Sequence, residues 1–186
     1  MNEKRIAWAI TGAGHALEEC VEILLRHENV DVFLSRAADE VVRSYELDTR
    51  LNTPRVRIYR DTRASSPLVG RLFSGIYRIL VIAPATSNSI AKFVHGISDT
   101  LVTNLFAQAG KARIPILAYP TDLAPEIVSL GPRQVPVKVY PRPIDLENTR
   151  KLAQFAGVIV VKSHDELERR LSSDLAEGIH EQSIDT

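Results

Sequence analysis

A chain of 186 residues, 45% hydrophobic and 25% charged, has the make-up of one soluble globular domain that can bury its own core without disulfides or a structural metal. Its 23 basic and 23 acidic residues cancel to a formal net charge of zero, so no global field selects nucleic acid or an anionic membrane. The single cysteine, Cys20, excludes a disulfide framework and any multi-cysteine metal or iron–sulfur site within one chain, and no apolar run approaches the ~20 residues of a membrane span.

The charged start MNEKRIAWAI passes at once into an apolar strand, Arg5–Ile10, which predicts no signal peptide and a reducing, cytoplasmic setting. After the turn TGAGH comes the helix ALEECVEILLRH, where Cys20 holds a core position as a buried structural thiol and His27 ends the helix as a cation complementing the dipole. VDVFLS (Val30–Ser35) reads as a second strand and RAADEVVRSYEL as a second helix; RVRIYRD (Arg55–Asp61) is a short strand or an extended excursion. YRILVIAP (Tyr77–Pro84) is apolar without alternation, the pattern of a central strand covered on both faces. Two helical segments, NSIAKFVHG and SDTLVTNLFAQAG, follow and divide at Gly96. RIPILAYP (Arg113–Pro120) and AGVIVVKS (Ala156–Ser163) are the last strands, with DLENTRKLAQF helical between them and DELERRLSSDL helical after. Prolines concentrate between Tyr119 and Asp145, which predicts an ordered, extended excursion over residues 119–145, and residues 177–186 read as a frayed tail. Strand–helix alternation with apolar strands predicts an α/β fold, a doubly wound and mainly parallel sheet in three layers, as a single domain over residues 1–186.

Ligands of such a sheet bind beyond the carboxyl ends of its strands, and the unusual residues cluster in the loops expected there. In Thr11–His15, Gly12 and Gly14 permit close backbone approach ahead of a helix N-terminus, which suits a phosphate or a plain tight turn. The dinucleotide fingerprint is incomplete, because Leu17 takes the third glycine's place and Ser35 and Arg36 stand where an acid would hold a ribose. Ser35 and Arg36 suit a terminal phosphomonoester, with helix capping by Ser35 as the plainer role. Pro84 and Ala85 lead into Thr86, Ser87, Asn88 and Ser89, of which a helix cap needs only one. None of the four titrates near neutrality, so they read as binding groups and no catalytic acid or base is assigned. Ser98 or Asp99 would cap the helix that restarts after Gly96. No P-loop, HExxH or nucleophile elbow is present, and of the five histidines only His15 lies on one of these loops.

TGAGHAL, FLSRAADEVV, IAPATSNSIAK and HGISDTLVTNLFAQA resemble, in order, the FMN-binding motifs of the flavoprotein superfamily that includes the homo-oligomeric flavin-containing cysteine decarboxylases. Within it the likeness is greatest to the archaeoflavoprotein A and dihydromethanopterin reductase group. The resemblance implies a Rossmann-like, flavodoxin-type sheet and FMN held between subunits of a trimer or a multiple of trimers. It also implies cofactor contacts from Thr11, Gly12, Ala13, Gly14, His15, Ser35, Arg36, Pro84, Ala85, Thr86, Ser87, Asn88, Ser98 and Asp99. The decarboxylases' histidine is absent from SSPLVGRLFSGIYR, and AYPTDLAPE replaces their substrate motif, so the resemblance favours the redox branch. The expected activity is electron transfer from ferredoxin or a reduced nicotinamide to a small acceptor such as a dihydropterin-type cofactor. The alternatives are an FMN-dependent decarboxylase, with Asp122 or Glu126 as the near candidates for a base, and a flavin prenyltransferase.

Overall fold

A computed structural model describes residues 4–61, 67–131 and 135–176. The first half of the chain runs β1 (Arg5–Ile10), α1 (Leu17–Leu25), β2 (Val30–Leu34), α2 (Arg36–Ser44), a short α3 (Asp48–Leu51) and β3 (Val56–Arg60). A 3-10 helix (Pro67–Ser74) leads into β4 (Tyr77–Ala85), α4 (Ser87–Val94), α5 (Leu101–Lys111) and β5 (Ile116–Pro120). Then come β6 (Ile127–Leu130), β7 (Pro136–Val139), α6 (Pro143–Leu152), β8 (Val158–Val160) and α7 (His164–Ala176). The tail read as frayed, residues 177–186, lies outside the described residues, as do Ser65 and Ser66 of the SSPLVGR segment.

Six strands form one parallel sheet in the order β3-β2-β1-β4-β5-β8, while β6 and β7 pair antiparallel as a separate hairpin. The expected doubly wound, three-layer architecture is present. Its order is the six-strand one of the dinucleotide-binding domains rather than the five-strand flavodoxin order, and it reverses between β1 and β4.

Period-two alternation sorts the core between the two faces. On β1, Ile6, Trp8 and Ile10 pack with Cys20, Leu24 and the α7 leucines Leu167 and Leu171. Ala7 and Ala9 face the other way, where their small size admits α5 and the 3-10 helix against Phe33 and Leu80. Phe93 of α4 stacks on Phe106 of α5 with ring centroids 4.3 Å apart, which fixes how α4 leaves the sheet. Trp8 is fully buried, and its indole N–H donates to the Ala83 carbonyl at 2.8 Å, tying β1 to the exit of β4. Cys20 is buried as expected, and burial raises its thiol pKa far above the ordinary range, so it is inert.

Three expectations are corrected. The stretch 119–145 is neither all extended nor all excursion: its first residues complete β5, its middle is the hairpin, and Pro143 already sits in the first turn of α6. Pro143 is tolerated there because the first helical amides need no intrahelical acceptor. The cap of α5 is Thr100, which shares a reciprocal capping box with Thr103, not Ser98 or Asp99. His27 is not a dipole-complementing cation: burial, with Arg78 adding to it, pushes its imidazole below the usual range and leaves it neutral at pH 7. An unfolded chain takes up that proton near its ordinary value of about 6.5. Stability is therefore full above that pH and is lost as pH falls below it, until the folded imidazole also protonates. We expect the urea midpoint to drop between pH 7.5 and 5.5 by more in the parent than in His27→Gln; equal drops would sink this assignment.

Candidate functional site

The carboxyl ends of β1 and β4 lie side by side where the strand order reverses, and the loops leaving them are pinned together by one residue. Thr11 is 1% exposed; its hydroxyl donates to the Pro84 carbonyl at 3.0 Å and accepts from the Thr86 amide at 2.8 Å. Its own amide bonds the same Pro84 carbonyl at 3.2 Å. Pro84, joined to Ala83 by a cis peptide bond, is buried with Ala85.

Thr86 caps α4, its hydroxyl accepting from the Ser89 amide at 3.4 Å and bonding the Ser89 hydroxyl at 3.1 Å. The four polar residues in a row thus divide their work: Thr86 and Ser89 form the cap, Ser87 donates to the Asp122 carboxylate, and Asn88 stays exposed at the cleft.

Across from them, the loop after β1 turns so tightly that the Ala13 amide reaches the Thr11 carbonyl at 2.8 Å. The backbone amides of Gly12, Gly14 and His15 have no intramolecular partner among the described residues. A Cβ on Gly12 would lie 2.5 Å from the Ala37 Cβ, so this glycine lets α2 pack onto the loop.

Between the two loops opens a cleft of about 340 Å³, within the range of small-molecule sites. Of the residues expected at the site, Ala13, Gly14, His15, Thr86, Ser87 and Asn88 line it together. Thr11, Gly12, Pro84 and Ala85 lie just behind as its frame. Ser35 and Arg36 stand one strand over, outside the lining, with Ser35 capping α2 by accepting from the Ala38 amide at 3.0 Å. Ser98 and Asp99 are also outside it. The Leu101 amide donates to Asp61 at 3.2 Å, which puts their loop above the end of β3 on the same sheet edge. The Lys92 ammonium, at 2.8 and 2.7 Å from the two carboxylate oxygens, holds the Asp99 carboxyl below its usual pKa.

Much of the opposite wall escaped the sequence reading: Thr121, Ile127, Ser129, Val139, Arg142 and Asp145, with Asp122 foreseen only as a base for a decarboxylase. The usable signal was RPID, a proline in a helical first turn followed by an acid, placed between the last two strands of the sheet. Asp145 accepts from the Arg142 amide at 2.9 Å and from its guanidinium at 3.0 and 2.8 Å, and Arg142 holds its carboxyl below the ordinary range. No group of three or more histidine, cysteine or acidic side chains arranged to hold a metal occurs among the described residues.

Chemically, the site offers free backbone amides, short hydroxyls and one amide side chain at the switch point of a doubly wound sheet. This is the equipment of a nucleotide- or phosphate-binding α/β protein. The family model described as Flavoprotein matches residues 1–183, and the chain belongs to that family. It is 37% identical over 172 residues to an uncharacterised protein of Methanocaldococcus jannaschii, with 89% of this chain and 92% of that one aligned. It is 39% identical to a dihydromethanopterin reductase (acceptor) of Methanosarcina mazei, over 73% of this chain but only 62% of that protein. Among solved structures, DmrB of Burkholderia xenovorans in complex with FMN, described as a cubic protein cage for redox transfer, superposes with a TM-score of 0.85 at 41% identity, covering 94% of this chain and 97% of that one.

Proposed function

We propose that this chain is an FMN-dependent oxidoreductase that passes electrons from ferredoxin or a reduced nicotinamide to a small acceptor of the dihydropterin class, working in the cytoplasm as a homo-oligomer. The observation that carries the reading is the cleft itself: the two loops pinned by Thr11 present unpartnered amides on one side and Ser87 and Asn88 on the other. The likeness to FMN-bound DmrB supports the cofactor, and the likeness to dihydromethanopterin reductases supports the acceptor. The cage described for DmrB supports self-assembly.

The donor set fits FMN. The amides of Gly12, Gly14 and His15 can take phosphate or ribityl oxygens. Glu18 and Glu19 fill the first turn of α1 and oppose an anion there, so Arg36 and the start of α2 carry more of the phosphate's charge. Ser87 and Asn88 supply neutral hydrogen bonds to a flat ring, and Pro84 and Ala85 its apolar backing. Ser98 and Asp99 would meet the cofactor from the end of the edge above β3. When bound, FMN supplies the electron chemistry; the chain's residues position it, shield it and tune its environment.

The test is an absorbance spectrum of the purified protein, chromatographic identification of the released cofactor, and anaerobic titration with reduced ferredoxin and with reduced nicotinamides. Bound FMN that bleaches with either donor is the expected result. FMN that stays oxidised with all of them would overturn the redox reading in favour of decarboxylation or prenyl transfer. No flavin, and no uptake of added FMN, would overturn the cofactor as well.

A further inference from the structure

Two carboxylates line the cleft, and they are in opposite states. Asp145 is 5% exposed and spends both oxygens on Arg142. Asp122 is half-buried, and its only hydrogen bond among the described residues comes from the Ser87 hydroxyl to Oδ2. Its Oδ1 and a second lone pair on Oδ2 are left for a ligand. Ser87 opens α4 directly behind the Thr86 cap, so the hydroxyl that orients this carboxylate is itself fixed by the helix.

A carboxylate only accepts hydrogen bonds, and it accepts best from two neighbouring N–H donors. The pyrimidine edge of an isoalloxazine alternates carbonyl, N–H, carbonyl. It would bring one donor to Asp122 with an oxygen on either side, which repels a carboxylate. A 2-amino-4-oxo ring offers an amino N–H beside a ring N–H, with no carbonyl between them. The wall next to Asp122 suits a flat ring: Ile127 and Val139 are directly paired across the hairpin, and both line the cleft.

We propose that Asp122, oriented by Ser87, is the specificity residue for the second ligand of the cleft, a flat heterocycle that presents two adjacent N–H donors, as the 2-amino-4-oxo edge of a dihydropterin does. The inference rests on the FMN reading above and adds to it the residue that selects the acceptor. The cofactor then occupies the side of the cleft formed by the loops after β1 and β4, and the acceptor the side formed by Asp122 and the hairpin.

The experiment measures binding, by calorimetric titration of the FMN-loaded protein with a 7,8-dihydropterin and with the matching 7,8-dihydrolumazine, which carries a 2-oxo group in place of the 2-amino group. A charge-assisted pair of this kind is worth about 10- to 100-fold in affinity. The parent is expected to prefer the dihydropterin by that factor. Asp122→Asn should bind the two ligands equally while FMN affinity stays at the parent value. Ser87→Ala, titrated at saturating FMN because this hydroxyl also faces the cofactor, leaves the carboxylate in place but unoriented and should show an intermediate preference. A full preference retained in Asp122→Asn overturns the proposal, and so does a loss of FMN affinity in that variant, which would move Asp122 to the cofactor. A parent that holds FMN but binds neither heterocycle overturns it together with the acceptor class. A parent that takes up no FMN fails the underlying reading instead.

Discussion

Asp31→Ala is expected to cost about 3–5 kcal/mol of unfolding free energy, which for a chain of this length lowers Tm by about 10 °C. Asp31 is 0% exposed, and every oxygen lone pair it can offer is contested. The Arg5 guanidinium reaches Oδ1 from Nε at 2.8 Å and from a terminal nitrogen at 2.7 Å. The Tyr77 hydroxyl donates to Oδ2 at 2.6 Å, and Arg71 stands 3.7 Å from the same oxygen. Removing the carboxylate leaves the Arg5 charge largely buried without its counter-ion and strands the Tyr77 hydroxyl. Burial, and then the hydrogen bond to Asp31, hold that phenol far above its ordinary pKa, so it stays a donor. The aromatic layer above would loosen too, since Phe33 stacks on Tyr59 at 5.1 Å and meets Tyr77 edge-on at 6.2 Å. The group lies where β1, β2 and β4 begin, at the end of the sheet away from the cleft. FMN uptake at low temperature should therefore be unchanged. Urea unfolding checks the number, and a loss below 1 kcal/mol would show that water replaces the carboxylate at little cost.

Gly12→Ala is expected to damage both stability and ligand affinity. The added methyl would meet the Ala37 Cβ at 2.5 Å and the Ala37 carbonyl carbon at 3.3 Å. Neither atom belongs to a flexible tip, so the loop or the start of α2 must move. Overpacking of this kind costs about 1–3 kcal/mol. Any shift of the loop also displaces the amides of Gly14 and His15, and a cradle displaced by a fraction of an ångström binds poorly. We expect FMN affinity to fall more than tenfold, read by fluorescence titration of the apo-protein. Gly110→Ala is the control: it lies within α5 with nothing within 4 Å of the added carbon. It should leave affinity alone and stabilise by about 0.5–1 kcal/mol. Unchanged FMN binding in Gly12→Ala would place the cofactor elsewhere than on this loop.

The strands were legible because burial on both faces removes polar residues from them; the fully buried run from Ile79 to Ala85 in β4 could be little else. The loops after β1 and β4 were legible because glycines and hydroxyls cluster there against an apolar background. The hairpin was not, since β6 and β7 leave Val128, Leu130, Val137 and Val139 exposed and Pro136 at the start of β7 masks the strand pattern. Asp31 was equally opaque. In VDVFLS it reads as an ordinary polar interruption, and its partners Arg5 and Tyr77 lie 26 and 46 residues away. Thr100 followed two other plausible caps in succession, and only its reciprocal bond with Thr103 separates it from them.

The cleft has one stiff jaw and one compliant one. Thr11 locks the loops after β1 and β4 to each other and, through them, to the two central strands of the sheet. The hairpin shares no ladder with that sheet, and the Tyr45 hydroxyl at the Leu130 carbonyl, 3.0 Å away, is a solvent-exposed tether. Two strands standing alone are marginal in water. A ligand entering the site therefore meets an isolated two-stranded ribbon on one face and, on the other, loops pinned to the two central strands of the sheet. If cofactor and acceptor divide the cleft as proposed, the cofactor rests on the fixed jaw and the hairpin is the jaw that yields to acceptors of different bulk.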